Sequence, residues 1–122
     1  MKTLKPQNKR GSIILRELRD ALRQFVKQRM GVSGTIKIKI AADRIFVQCN
    51  KAISCPEVEL GNLKAGRLLL QQVSERRCAE ARSELGTILY RITGLRLVDI
   101  RVAIFFQRRE KVYVLAMSEE LG

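Results

Sequence analysis

Histidine and tryptophan are both absent from this chain. Without histidine there is no Ser-His or Cys-His nucleophile pair, no imidazole general base and no His-containing zinc site. Cysteine is scarce and odd in number. Cys49, Cys55 and Cys78 contain no C-x-x-C, so one chain cannot build a four-thiolate zinc site, and a disulfide framework is not expected. Buried or half-buried free thiols in a reducing compartment are expected. Aromatic residues make up only 5%, which leaves few platforms for stacking nucleic-acid bases. No apolar stretch reaches the roughly 20 residues that span a bilayer, and Met1–Gly11 holds no apolar run of the signal-peptide kind. These absences argue against an ordinary hydrolase or metalloenzyme. They point to a soluble cytoplasmic protein with no catalytic residues, no metal and no cofactor.

What is abundant is positive charge. The 122 residues carry 24 Lys and Arg against 12 Asp and Glu, a net charge of +12. Nine of the basic and two of the acidic residues lie in positions 1–30, a local charge of +7. Such an excess favours anionic partners: an acidic protein, an anionic membrane surface or nucleic acid. At 46% hydrophobic and 30% charged, the composition is globular. One domain over residues 12–122 is expected, behind a flexible basic tail at 1–11 that contains Pro6 and Gly11.

Hydrophobic spacing orders the elements. Ile14, Leu15, Leu18, Leu22, Phe25, Val26 and Met30 recur with a 3.6-residue period. This predicts an amphipathic helix over 13–30, with Ser12 as N-cap and Gly31 as its left-handed stop. Ile36, Ile38 and Ile40 alternate with Lys37 and Lys39, then Ile45, Val47 and Cys49 with Phe46 and Gln48. The pair reads as a hairpin. Ser54-Cys55-Pro56-Glu57 is a capping box, in which the Ser54 hydroxyl accepts from the third backbone N–H and Glu57 reaches back. A helical pattern runs from there to Thr93, stopped by Gly94 and weakened by Gly61 and Gly66. Val98, Ile100, Val102, Ile104 and Phe106 share one face of a third strand, and Val112–Met117 forms a fourth. The order α-β-β-α-β-β implies an α+β fold. A four-stranded, mostly antiparallel sheet would carry a short and a long helix on one face.

The stretch Ile53–Leu60, followed by Gly66-Arg67 and later Thr93-Gly94, resembles the central motif of the MpsC-like domain family. Ser54 stands at the family's Thr position, and Glu57, Leu60, Gly66 and Arg67 fit the pattern. The resemblance covers roughly residues 12–118. It departs at Gly31-Val32-Ser33-Gly34 and at Ile104-Phe105-Phe106, where family members tend to carry a different turn and an Asp. It implies a bacterial accessory or regulator of a membrane ion or inorganic-carbon transport system, and implies no mechanism.

Two candidate binding features stand out. On a helix, Arg16, Arg23 and Lys27 fall within about 40° of one another, opposite the apolar face. That stripe is either an anion- or partner-binding surface or a solubilising face. On the long helix the apolar stripe runs through Leu63, Leu70, Val73, Cys78, Ala81, Leu85, Ile88 and Ile92, with Arg77 inside it. A buried guanidinium without a partner costs several kcal/mol, so Arg77 must snorkel, find a carboxylate or face a ligand. Leu68 and Leu69 point off the stripe, and the fourth strand is apolar on both sides, which suggests a homodimer. Glu75, Glu80 and Glu84 sit among Arg76, Arg77, Arg82 and Arg91, where ion pairs explain them without acid–base chemistry. The glycines match neither a P-loop nor a dinucleotide fingerprint. The function expected is a small regulatory binding module. The alternative is a nucleic-acid binder using its basic surface, although no helix-turn-helix or RNP-like pattern supports sequence reading.

Overall fold

The computed structural model describes residues 9–121. The elements are α1 (Lys9–Arg29), β1 (Ile36–Ala41), β2 (Arg44–Cys49), α2 (Cys55–Leu60), α3 (Lys64–Thr93), β3 (Leu97–Phe105), a 3-10 turn (Phe106–Arg108) and β4 (Glu110–Met117). The four strands form one open antiparallel sheet in the order β1-β2-β4-β3. The α+β architecture expected from the pattern is the one observed.

Alternation along each strand sets two faces. Ile36, Ile38, Ile45, Val47, Cys49, Val102, Tyr113, Leu115 and Met117 are buried beneath the helices. Leu18, Leu22 and Phe25 of α1 and Cys78, Leu85 and Leu89 of α3 meet them in one core. The opposite face presents Lys37, Lys39, Phe46, Gln48, Arg101, Val112 and Val114, all exposed or half-buried. β3 is an edge strand, and α3 covers part of its open side. Gln71 donates to the Val102 carbonyl at 2.9 Å, and Arg82 donates to the Val98 carbonyl. Satisfying edge carbonyls in this way blunts a strand that would otherwise offer itself for pairing.

Several local expectations change. α1 begins at Lys9, so Ser12 lies inside the helix and is not its N-cap. Lys9 and Arg10 are good helix formers, and Gly11 costs a helix only about 1 kcal/mol. Residues 1–8 of the expected tail lie outside the described residues. Gly31 and Gly94 do end their helices in the left-handed region, at φ 68° and 73°. The third strand carries an irregularity between Leu97 and Asp99. It puts Val98 outside, 52% exposed, and Leu97 against the core. Phe106 leaves the strand for the 3-10 turn. Leu121, past the last strand, is fully buried, and its N–H donates to Ala42 at 2.9 Å.

The long helical pattern divides between Leu60 and Lys64. α2 opens with the complete capping box: Glu57 N–H donates to Ser54 Oγ at 3.3 Å, and Ser54 N–H to Glu57 Oε1 at 2.8 Å. The motif glycines then do steric work. A Cβ on Gly61 would sit 2.5 Å from the Phe106 ring, and one on Gly66 would sit 2.0 Å from the Leu60 carbonyl oxygen. Arg67 donates to the Gly61 carbonyl at 2.9 Å, satisfying a carbonyl that the end of α2 leaves unpaired. Leu60, Gly61, Gly66 and Arg67 are thus a tight corner joining two helices.

Candidate functional site

At the end of the core remote from the β1–β2 turn, a cleft of about 230 Å³ opens among several elements. Met30 and Gly31 at the end of α1, the Ala52–Ile53 segment, Glu57 of α2 and the Leu70–Arg77 face of α3 wall it. Ile104, Phe106 and Lys111 close it from the sheet side. The α2–α3 corner makes this space possible. By redirecting the chain at Gly61, it brings Glu57 and the start of α3 around the ends of β3 and β4.

Lys111 is the anomalous residue. It pairs with Cys49 on one side and Ile104 on the other, and it stands two residues before Tyr113. Its side chain therefore belongs to the core-facing row of β4, which continues through the buried Tyr113, Leu115 and Met117. Burial pulls the amine below its usual lysine range. Glu57 opposes that shift, and the nearby Arg77 adds to it. Burial also pushes the neighbouring thiols up, Cys49 to about 12 and Cys78 to about 11, with Lys111 opposing in both cases. The Tyr113 phenol moves upward for the same reason. These three groups stay protonated near neutrality, so none is poised as a nucleophile.

Arg77 reaches the same cleft from α3. It is exposed and takes part in no ion pair or side-chain hydrogen bond among the described residues. Its exposure spares the cost that burial inside the stripe would bring. Lys111 makes no ion pair either among the described residues. Two cations thus share one small cavity. The nearby carboxylate, Glu57, accepts a backbone N–H through Oε1.

The other expected residues lie elsewhere. Arg16 and Lys27 are exposed on the outer face of α1, and Arg23 is loosely paired with Asp20 at 3.7 Å. A surface pair of this kind contributes about 0–1 kcal/mol and leaves the stripe strongly basic. None of the three lines the cleft. The pairs expected along α3 do not form among the described residues. Glu84 binds Arg29 of α1 at 3.1 Å, and Glu75 accepts from Gln71 at 3.1 Å. Arg76 and Arg77 precede Glu80, the weaker order for helical ion pairs. Leu63 and Val73, expected in the stripe, are 63% and 46% exposed, while Ser74 and Leu89 are buried. Leu68 and Leu69 are exposed, as their angular position requires. Cys55 is exposed rather than buried, because α2 is too short to bury any residue. Lys111 carries no motif that marks it locally in the sequence. Its signal was phase: it is in step with Tyr113, Leu115 and Met117.

The fold and cleft define an open-faced α+β domain of the α-β-β-α-α-β-β order, with a cationic pocket at one end of its core. No helix among the described residues is long and apolar enough to cross a membrane. The family model described as "Na+-translocating membrane potential-generating system (MpsC)" matches residues 10–119, and the chain belongs to that family. Searches of the curated proteins and of the solved structures find no match.

Proposed function

We propose that the chain is a non-enzymatic, cytoplasmic accessory subunit of a Na+-translocating membrane potential-generating system. In this reading it acts by binding an acidic surface of that system at the membrane. Family membership over residues 10–119 supports the system. The observation that carries the binding mode is the outer face of α1, where Arg16, Arg23 and Lys27 stand in one row opposite the buried Leu18, Leu22 and Phe25. Exposed Leu68 and Leu69 on α3, at 56% and 51%, support self-association as a two-fold dimer. A monomeric mass by light scattering at tens of micromolar would remove that part.

The test is cosedimentation with native membrane vesicles that carry the translocating subunits. Reversing Arg16, Arg23 and Lys27 together to Glu leaves the core untouched and should abolish binding at low salt. The wild-type binding should itself fade at high salt, as the Debye length drops to about 3 Å at 1 M. Unchanged binding by the triple variant at low salt overturns the reading. A steep salt-dependent affinity for arbitrary duplex DNA, with no membrane binding, would instead favour the nucleic-acid alternative.

A further inference from the structure

We propose that the cleft between α1, the α2–α3 corner and the sheet binds a small organic monoanion, whose carboxylate is held between Lys111 and Arg77. The site is distinct from the basic face of α1 and does not rest on it.

Charge assigns the ligand's sign and number. Lys111 and Arg77 both line the cleft, and neither is ion-paired among the described residues. Glu57 lines it too. The three formal charges leave one positive charge to be matched. A monoanion neutralises the pocket, whereas a dianion would overcharge it. The amine also stands where an apolar side chain would suit the fold better. Lys111 occupies the inner row of β4, and a methionine or leucine there would continue Tyr113, Leu115 and Met117. Half-burying a cation without an ion-pair partner, as at Lys111, carries a desolvation cost, and an incoming carboxylate supplies the missing charge-assisted hydrogen bonds.

Size and wall chemistry assign the rest. At about 230 Å³ the cleft is below the roughly 300–1,000 Å³ of pockets for larger ligands. An apolar cavity of about 150 Å³ takes benzene, so by proportion this one takes about nine non-hydrogen atoms. Leu70, Ile104 and Phe106 line it beside the two cations. Polar atoms make up most of the exposed lining, but Leu70, Ile104 and Phe106 give a short carbon body an apolar surface to lie against, which an inorganic anion would not use. Buried Ser74 places a hydroxyl-bearing side chain in the same wall.

The experiment titrates the full-length chain with hexanoate, followed by amide shifts in 15N-labelled protein and by calorimetry. Saturable binding is expected, with the largest shifts around Ser74, Arg77, Ile104 and Lys111. Hexanamide, which has the body without the charge, should bind at least about tenfold more weakly, as should inorganic phosphate. Lys111→Met and Arg77→Gln should each weaken hexanoate about tenfold or more, while Lys111→Arg retains it. Amide spectra of each variant establish that it is folded. The triple reversal on α1 should bind hexanoate like the wild type, so this proposal and the membrane-docking reading fail separately. No saturation by about 10 mM, where a ~10 mM binder would already be half-bound, overturns the proposal. So do equal affinities for hexanoate and hexanamide, tighter binding of phosphate, or full affinity in a folded Lys111→Met.

Discussion

Replacing Gly66 by alanine tests the α2–α3 corner, and Gly86 supplies the control within the same helix. Both glycines lie inside α3, so both substitutions gain the same intrinsic helix preference, about 0.5–1 kcal/mol. Their surroundings differ. A Cβ on Gly86 meets only Leu97 Cβ, at 3.8 Å, an ordinary contact. A Cβ on Gly66 would lie 2.0 Å from the Leu60 carbonyl oxygen and 2.8 Å from its carbon. Those are backbone atoms, so a rotamer change cannot relieve the clash and α2 must move away. Overpacking of this kind costs about 1–3 kcal/mol. The same movement strains the Arg67 bond to the Gly61 carbonyl, worth about 1 kcal/mol. After the helix gain, Gly66→Ala is expected to destabilise by about 1–3 kcal/mol. For a domain this long, 1 kcal/mol corresponds to about 4 °C in Tm. Thermal unfolding followed by circular dichroism should show Gly66→Ala melting about 4–12 °C below the wild type, and Gly86→Ala about 2–4 °C above it. If Gly66→Ala melts at or above the wild type, the close helix contact is wrong. The cleft that depends on it loses its wall.

Other outcomes follow from the same structure. Ser54→Ala removes the N-cap bond of α2 and should cost about 1 kcal/mol, read as a fall of about 4 °C in Tm; an unchanged Tm would mean the cap contributes nothing. Thiol labelling under native conditions should modify Cys55 alone, because Cys49 and Cys78 are buried with thiols pushed up to about 12 and about 11. All three should react after denaturation, and rapid native labelling of Cys78 would contradict its burial. Lys111→Met should stabilise the fold near neutral pH, with the sign set by protonation. Below its lowered value Lys111 is charged in both folded and unfolded chains, and the fold bears the full cost of burying the charge. From there up to the ordinary 10.5 the unfolded chain holds more protons, so wild-type stability rises with pH. The groups acting on Lys111 are Glu57, Arg77, Cys78 and Cys49. The advantage of the variant should therefore shrink as pH climbs toward 10.5. An advantage that grows with pH would refute the burial argument.

Local chemistry alone determined the order of helical and strand segments, apart from the break between α2 and α3, together with both left-handed helix stops and the capping box of α2. Each depends on side chains within a few residues, and the backbone groups they satisfy are neighbours in the chain. The α+β class followed from the change of period between helix and strand. The tertiary structure decided what depends on contacts between distant segments. The strand order β1-β2-β4-β3 places β4 in the middle of the sheet, and this central position buries the inner row to which Lys111 belongs. Gly61 and Gly66 read in sequence only as weak helix formers. Packing against Phe106 and Leu60 makes them the corner that ends α2 and turns α3. The same turn shifts the stripe of α3, exposing Leu63 and Val73 while burying Ser74 and Leu89. Arg77 was legible as a cation out of place, but its surroundings were not. Its neighbours at the cleft, Lys111 and Glu57, lie 34 residues ahead and 20 behind in the chain, and only folding brings the three to one cavity.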